Sequence, residues 1–175
     1  LTFTQTFQPR TIYNIHITNL KDLSENQLSD TIIMVSFSIP ELNDIIINEI
    51  MADPYPPNDL PEVEYIEIYN ASGRALDLTG FTIKIGESSK SFPEIILKQN
   101  EYAVICNLNY VNEFAEDILT IGISGLSTLT NSGNKISIFT YENLLVNSVS
   151  YSISWYQNAE KENGGWSLEK IDTRN

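Results

Sequence analysis

The first candidates for chemistry are carboxylates on one short stretch. From Asp44 to Asn70 the chain reads DIIINEIMADPYPPNDLPEVEYIEIYN, with seven acids and no Lys or Arg. Asp53, Asp59, Glu62 and Glu64 occupy its proline-rich centre. Loop carboxylates are what a hard cation such as calcium takes as ligands, since it needs about six to eight oxygens. Their spacing is not that of an EF-hand. The competing reading is a stiff, solvated loop whose acids keep a strand edge from pairing with other chains. Glu49 and Glu67 differ, because each lies in a strand-like run among apolar neighbours. A carboxylate pair could hydrolyse glycosides. The structural alternative is that at least one accepts hydrogen bonds from loop backbone N–H groups and stays ionised. On that alternative Glu67→Gln costs on the order of 1–3 kcal/mol, as for a charged hydrogen bond.

Other catalytic constellations are poorly supplied. His16 is the only histidine, and it sits mid-strand without a nucleophile elbow nearby. The serines of GISGLS do not form G-x-S-x-G, and no phosphate-binding glycine motif is present. Cys106, the single cysteine, follows YAVI and is expected to pack as a small hydrophobe. One cysteine excludes an internal disulfide and a cysteine-based zinc site. A non-catalytic chain is expected.

The elements that must hold these residues alternate with period two. TIYNIHIT, YIEIYN, FTIKIG, KISIFT and SVSYSIS each interleave apolar and polar residues, the pattern of half-buried strands. ASGR, GESSK, KQNE, NSGN, YEN and NGG supply turns between them. Only Asn107 to Leu119 is compatible with a helix. Regularly spaced short strands predict an all-β, antiparallel sandwich or barrel. A boundary is expected near Pro40. Before it come three expected strands, Thr2–Phe7, Ile12–Thr18 and Ile32–Ser38, paired as a small sheet. After it come about eight more. Within the acidic stretch the expected strands are Ile45–Met51 and Val63–Tyr69. Pro54, Pro56, Pro57 and Pro61 keep the loop between them from extending the sheet.

Charge narrows the partners. The 175-residue chain carries a net charge of −13. The 52 residues between Lys21 and Arg74 hold eleven acids and no Lys or Arg. Such a surface repels nucleic acid and anionic membrane, so neither is expected as a partner. No apolar run reaches the ~18 residues that span a bilayer. The chain starts at Leu1 without Met, and it is expected to be a piece of a longer protein.

INEIMADP, EYIEIYNASGRALDLTGFTI, YAVIC, LTNSGNKISIFTYENLLVNSVSY and GGWSLEK occur in that order. Together they resemble the lamin tail domain family, an immunoglobulin-like β-sandwich found in nuclear lamins and in many bacterial proteins. The resemblance covers about Asp44 to Lys170. Asn134 stands where the family usually has Asp, and Lys170 where it often has Arg. MADPYPPNDLPEVEYIEIYN and the closing SWYQ…GGWSLEKID resemble secreted or envelope proteins of the Bacteroidetes type. YNIHITNLKDLSENQLSDTIIMVSFSI resembles the closing strands of a bacterial immunoglobulin-like domain, with Glu25 where Gly is frequent.

The expected architecture is therefore a partial β segment, 1–40, and a lamin tail sandwich, 41–175, with Trp166 covering one end. The resemblance implies a structural or adhesion and interaction module of a secreted or cell-envelope protein. In bacteria such modules accompany hydrolases, so this one could position a partner enzyme domain. Expected partners are a protein or cell surface and other domains of the same chain. No cofactor is expected. The alternative is a calcium- or carbohydrate-binding module, with Asp53, Asp59, Glu62 and Glu64 as the calcium ligands.

Overall fold

Strand-forming residues dominate the chain, and in its computed structural model almost every regular element is a strand. Residues 4, 7, 11–37 and 40–172 are described. The chain divides into two compact units, Leu1–Ile39 and Pro40–Asn175.

In the first unit, β1 (Thr11–Ile17) pairs antiparallel with β2 (Thr31–Phe37), from Thr11 opposite Phe37 to Ile17 opposite Thr31. Tyr13, Ile15 and Ile17 are half-buried while Asn14 and His16 are exposed, the alternation of the sequence. Of the expected strand Thr2–Phe7 only Thr4 and Phe7 are described, and neither is in a strand. The rest of that expectation lies outside the described residues. Phe7 meets the Tyr13 ring edge-on at 4.7 Å. Between β1 and β2, Asp22 accepts hydrogen bonds from Ser24 N, Asn26 N and Asn26 Nδ2. Those bonds, the Asn26 amide first, hold its carboxyl below the usual range. Glu25 follows with φ +65°, a left-handed conformation that favours the glycine of the related pattern.

The second unit is a sandwich of two sheets. Its strands are β3 (Ile45–Met51), β4 (Tyr65–Asn70), β5 (Leu76–Asp77), β6 (Thr82–Ile85), β7 (Ser88–Ser91), β8 (Ile96–Leu97), β9 (Tyr102–Asn107), β10 (Thr120–Ile123), β11 (Gly133–Phe139), β12 (Leu145–Ser152) and β13 (Leu168–Glu169). One sheet has the order β10-β9-β4-β3-β13 and the other β12-β11-β6-β7, with β5 and β8 as a separate short pair. Ile45, Ile66, Ile68 and Ile105 from the first sheet meet Ile83, Ile136 and Ile138 from the second in one core. Burial of these branched chains supplies the main driving force, at about 25 cal/mol per Å2 of apolar surface.

Four features differ from expectation. Among the described residues there are eleven strands after Pro40 rather than about eight, because three of them are two residues long and exist only by pairing. The edge pair β9–β10 is parallel, and a 3-10 turn at Leu108–Glu113 with the loop after it makes the crossover. The helix-compatible window yields only that turn. Strand β4 begins at Tyr65 rather than Val63.

Asn70 closes β4 and ties the unit together. Its buried Nδ2 donates to Arg74 O, Leu97 O and Lys98 O, and its Oδ1 accepts from Ser72 N and Oγ. This side chain makes the turn residues of ASGR follow from the strand before them. The TYENLL turn is closed by Thr140, whose Oγ1 accepts from Leu144 N while its own N–H donates to Leu144 O.

Candidate functional site at the proline loop

The loop from Asp53 to Glu64 is held by a distant part of the chain. Gly165 N donates to Asp53 O at 2.8 Å. Gly164 and Gly165 have φ of +99° and +77°, and a Cβ on them would overlap the backbone oxygens of Tyr55 and Pro56 respectively. Only glycine allows both the conformation and the approach. Trp166 was expected to cover one end of the sandwich. It is 39% exposed, with Lys161 Nζ 4.4 Å from its ring centroid. The two glycines before it make the close contact with the loop.

Held in this way, the loop forms one wall of a 420 Å3 cavity. The turn carrying Tyr110 and the Leu126–Asn131 connection form much of the rest. Three of the four acids named from the sequence line it: Asp53, Glu62 and Glu64. Asp59 does not; it is exposed at the loop tip with φ +60°. Asp53 Oδ2 accepts from Asn131 Nδ2 at 2.6 Å, and Glu64 Oε2 accepts from Leu129 N at 2.7 Å. Burial pushes the Glu64 carboxyl above its usual range; the Leu129 N–H opposes the shift and the Asp53 charge adds to it. Among the described residues no three His, Cys, Asp or Glu side chains are grouped to hold one metal ion. Tyr55 and Tyr110, which sequence reasoning did not single out, also line the cavity. Their own patterns carry no signal, since the packing of separate loops brings them together.

A second cavity, of 330 Å3, lies over the face of β3, β4 and β9 and takes in Glu49, Glu67, Tyr65, Tyr102 and Phe114. A bulge between Ile47 and Glu49 sets the register so that Glu49 stands opposite Glu67, with Glu169 opposite Glu49 on its other side. Neither Glu49 nor Glu67 takes the expected bond from a loop backbone N–H. Glu49 Oε1 accepts from Tyr65 OH and Glu67 Oε1 from Asn48 Nδ2, both at 2.7 Å. The expectation failed because their partners come from register, and the backbone donor went to Glu64. Burial raises the Glu67 carboxyl, the Asn48 bond opposes it, and the charges of Glu49 and Glu169 raise it further. Burial, then the Glu49 bond and charge, likewise raise the Tyr65 hydroxyl.

His16 lies in the first unit, exposed on β1. Cys106 is fully buried among Met51, Tyr65, Val104 and Phe114. Burial pushes its thiol up to about 11, which leaves it a poor nucleophile. No helix among the described residues is long and apolar enough to cross a membrane.

Comparison with curated proteins matches none of them. A family model described as Lamin Tail Domain matches residues 40–152. That span holds β3 to β12, every strand of both sheets except β13, and it stops before GGWSLEK, which the sequence resemblance had included. Strand β13 nevertheless pairs with β3, so the sandwich runs past the matched region. With the match covering well over half of its length and an immunoglobulin-like sandwich beneath it, the chain belongs to the lamin tail domain family.

Proposed function

We propose that the chain is a non-catalytic interaction module of a larger secreted or cell-envelope protein, one that positions a partner domain or holds a surface. One observation carries the reading. The half-buried carboxylates of the sandwich are engaged in holding strands and loops, as with Glu49 on Tyr65, Glu67 on Asn48 and Glu64 on Leu129. Family membership supports it, since the fold is an immunoglobulin-like scaffold. The test is turnover. Nitrophenyl glycosides, esters and phosphates should all remain intact with the purified chain, and hydrolysis of any of them that Glu67→Gln abolishes would overturn the reading. The net charge of −13 supports the absence of nucleic-acid binding, and low-micromolar DNA binding that weakens with salt would contradict it.

The alternative is a calcium- or carbohydrate-binding module, and it has one observation in its favour. Asp53, Glu62 and Glu64 share a cavity wall. Thermal unfolding in calcium and in chelator separates the two readings. A calcium-dependent rise in Tm that disappears in Asp53→Asn would favour the alternative.

A further inference from the structure

The cavity at the proline loop joins three surfaces of different chemistry. Its floor is aliphatic, with Ile66, Ile105 and Leu129 buried. Its rim carries two aromatic rings, Tyr55 at 56% and Tyr110 at 49% exposure. Its wall carries the Asp53 and Glu64 carboxylates, and no Lys or Arg is among the lining residues. At 420 Å3 the space is within the usual range of ligand sites, about 300–1,000 Å3.

Each class of occupant uses these surfaces differently. A bare metal ion would leave the aliphatic floor and both rings without a role. A neutral sugar would stack on tyrosine and bond to the amides, but it would bring no charge to set against the carboxylates. A guanidinium on an aliphatic stem uses all three surfaces. The stem lies on the floor, the planar head stacks on a tyrosine ring, and the carboxylates take charge-assisted hydrogen bonds from it. We propose that this cavity receives an arginine side chain presented by an extended segment of a protein partner.

This inference rests on the interaction-module reading and names the chemistry of the partner. Charge complementarity favours it twice over. The lining is anionic without a cation of its own, and the whole chain carries −13, which draws basic segments toward it. The acceptors are already in place. Asn131 fixes Asp53, Leu129 fixes Glu64, and Gly165 pins the loop that carries Tyr55. A site built before its ligand arrives loses less entropy on binding. The desolvation that raises the Glu64 carboxyl is the cost a bound cation would offset.

The test uses the full chain and amide NMR. Acetyl-Gly-Arg-Gly-amide is titrated beside the same peptide carrying citrulline, which keeps the shape and loses the charge. The arginine peptide should shift the amides of Tyr55, Glu64 and Leu129 saturably, and bind about tenfold or more tighter than the citrulline peptide. Glu62→Gln and Tyr110→Ala both alter exposed side chains, so the fold should survive. Each should weaken the arginine peptide by about two- to fivefold, as for an exposed ion pair or a cation–π contact. Equal affinity for the two peptides would overturn the proposal. So would the absence of saturable shifts at these amides, or saturation by cellobiose or calcium with no response to arginine. The first two failures leave the module reading standing, because that reading is decided by turnover of the hydrolase substrates and not by peptide binding, whereas saturation by cellobiose or calcium would favour the calcium- or carbohydrate-binding alternative.

Discussion

Asp53 and Glu64 stand at a loop end, whereas Glu49 and Glu67 face each other across a β-ladder. At the loop end each carboxylate takes a hydrogen bond from the Leu126–Asn131 connection, and both residues line an open cavity. On the ladder each donor comes from the neighbouring strand, Tyr65 on β4 for Glu49 on β3 and Asn48 on β3 for Glu67 on β4. Like charges directly opposite one another destabilise a sheet. The ladder acids are therefore tolerated by local donors, while the loop acids are placed. Placement of that kind suits contact with something outside the chain.

The comparison can be broken hardest at the glycine clasp. Gly165→Ala should destabilise by about 3 kcal/mol or more, since it combines backbone strain with a clash against a fixed carbonyl. Urea unfolding measures it, and a loss under 1 kcal/mol, on the order of an ordinary surface change, would mean the loop is free to move. Tyr65→Phe should cost on the order of 1 kcal/mol, one hydrogen bond to a half-buried carboxylate. A neutral result in a chevron or urea series would show that Glu49 does not depend on that donor.

Glu67→Gln sharpens the comparison through its sign. A glutamine keeps the acceptor for Asn48 and removes a like charge beside Glu49. The change should therefore shift stability at neutral pH by less than about 1 kcal/mol, in contrast to the larger loss the sequence implied. Its pH dependence is more telling. Glu64 and Glu67 both have carboxyls raised above the ordinary glutamate value of 4.5, so the folded chain binds protons before the unfolded one. Their contribution to stability then grows as pH falls through the folded pKa toward 4.5, and flattens below it. The Glu67→Gln variant should show a shallower rise over that window. An unchanged slope would place the buried charge elsewhere. Asp59→Asn should have the smallest effect, within about 0.5 kcal/mol, because the side chain is exposed and asparagine accepts a left-handed backbone.

Much of the sandwich was legible because alternation survives in the sequence wherever a strand has one buried face. YIEIYN and KISIFT could be read in this way, and they appear as β4 and β11. Strands β5, β8 and β13 could not, since two residues have no period and only their partners define them. The acids were visible as a cluster, but their division into two settings was not. That division depends on the bulge at Ile47 and Glu49, which fixes who faces whom, and on donors 65 and 78 residues away in the chain. The tyrosine rim escaped for the same reason: no local pattern connects Tyr55 with Tyr110.

Cys106 gives the outer layer of the five-stranded sheet a clock. It is the only sulfhydryl in the chain, and it is sealed beneath Phe114 and Tyr65. A thiol reagent can reach it only when that layer lifts or the whole unit unfolds. The rate of labelling under native conditions therefore reads how often the layer opens, and its dependence on urea distinguishes local lifting from global unfolding. No engineered probe is needed for the measurement.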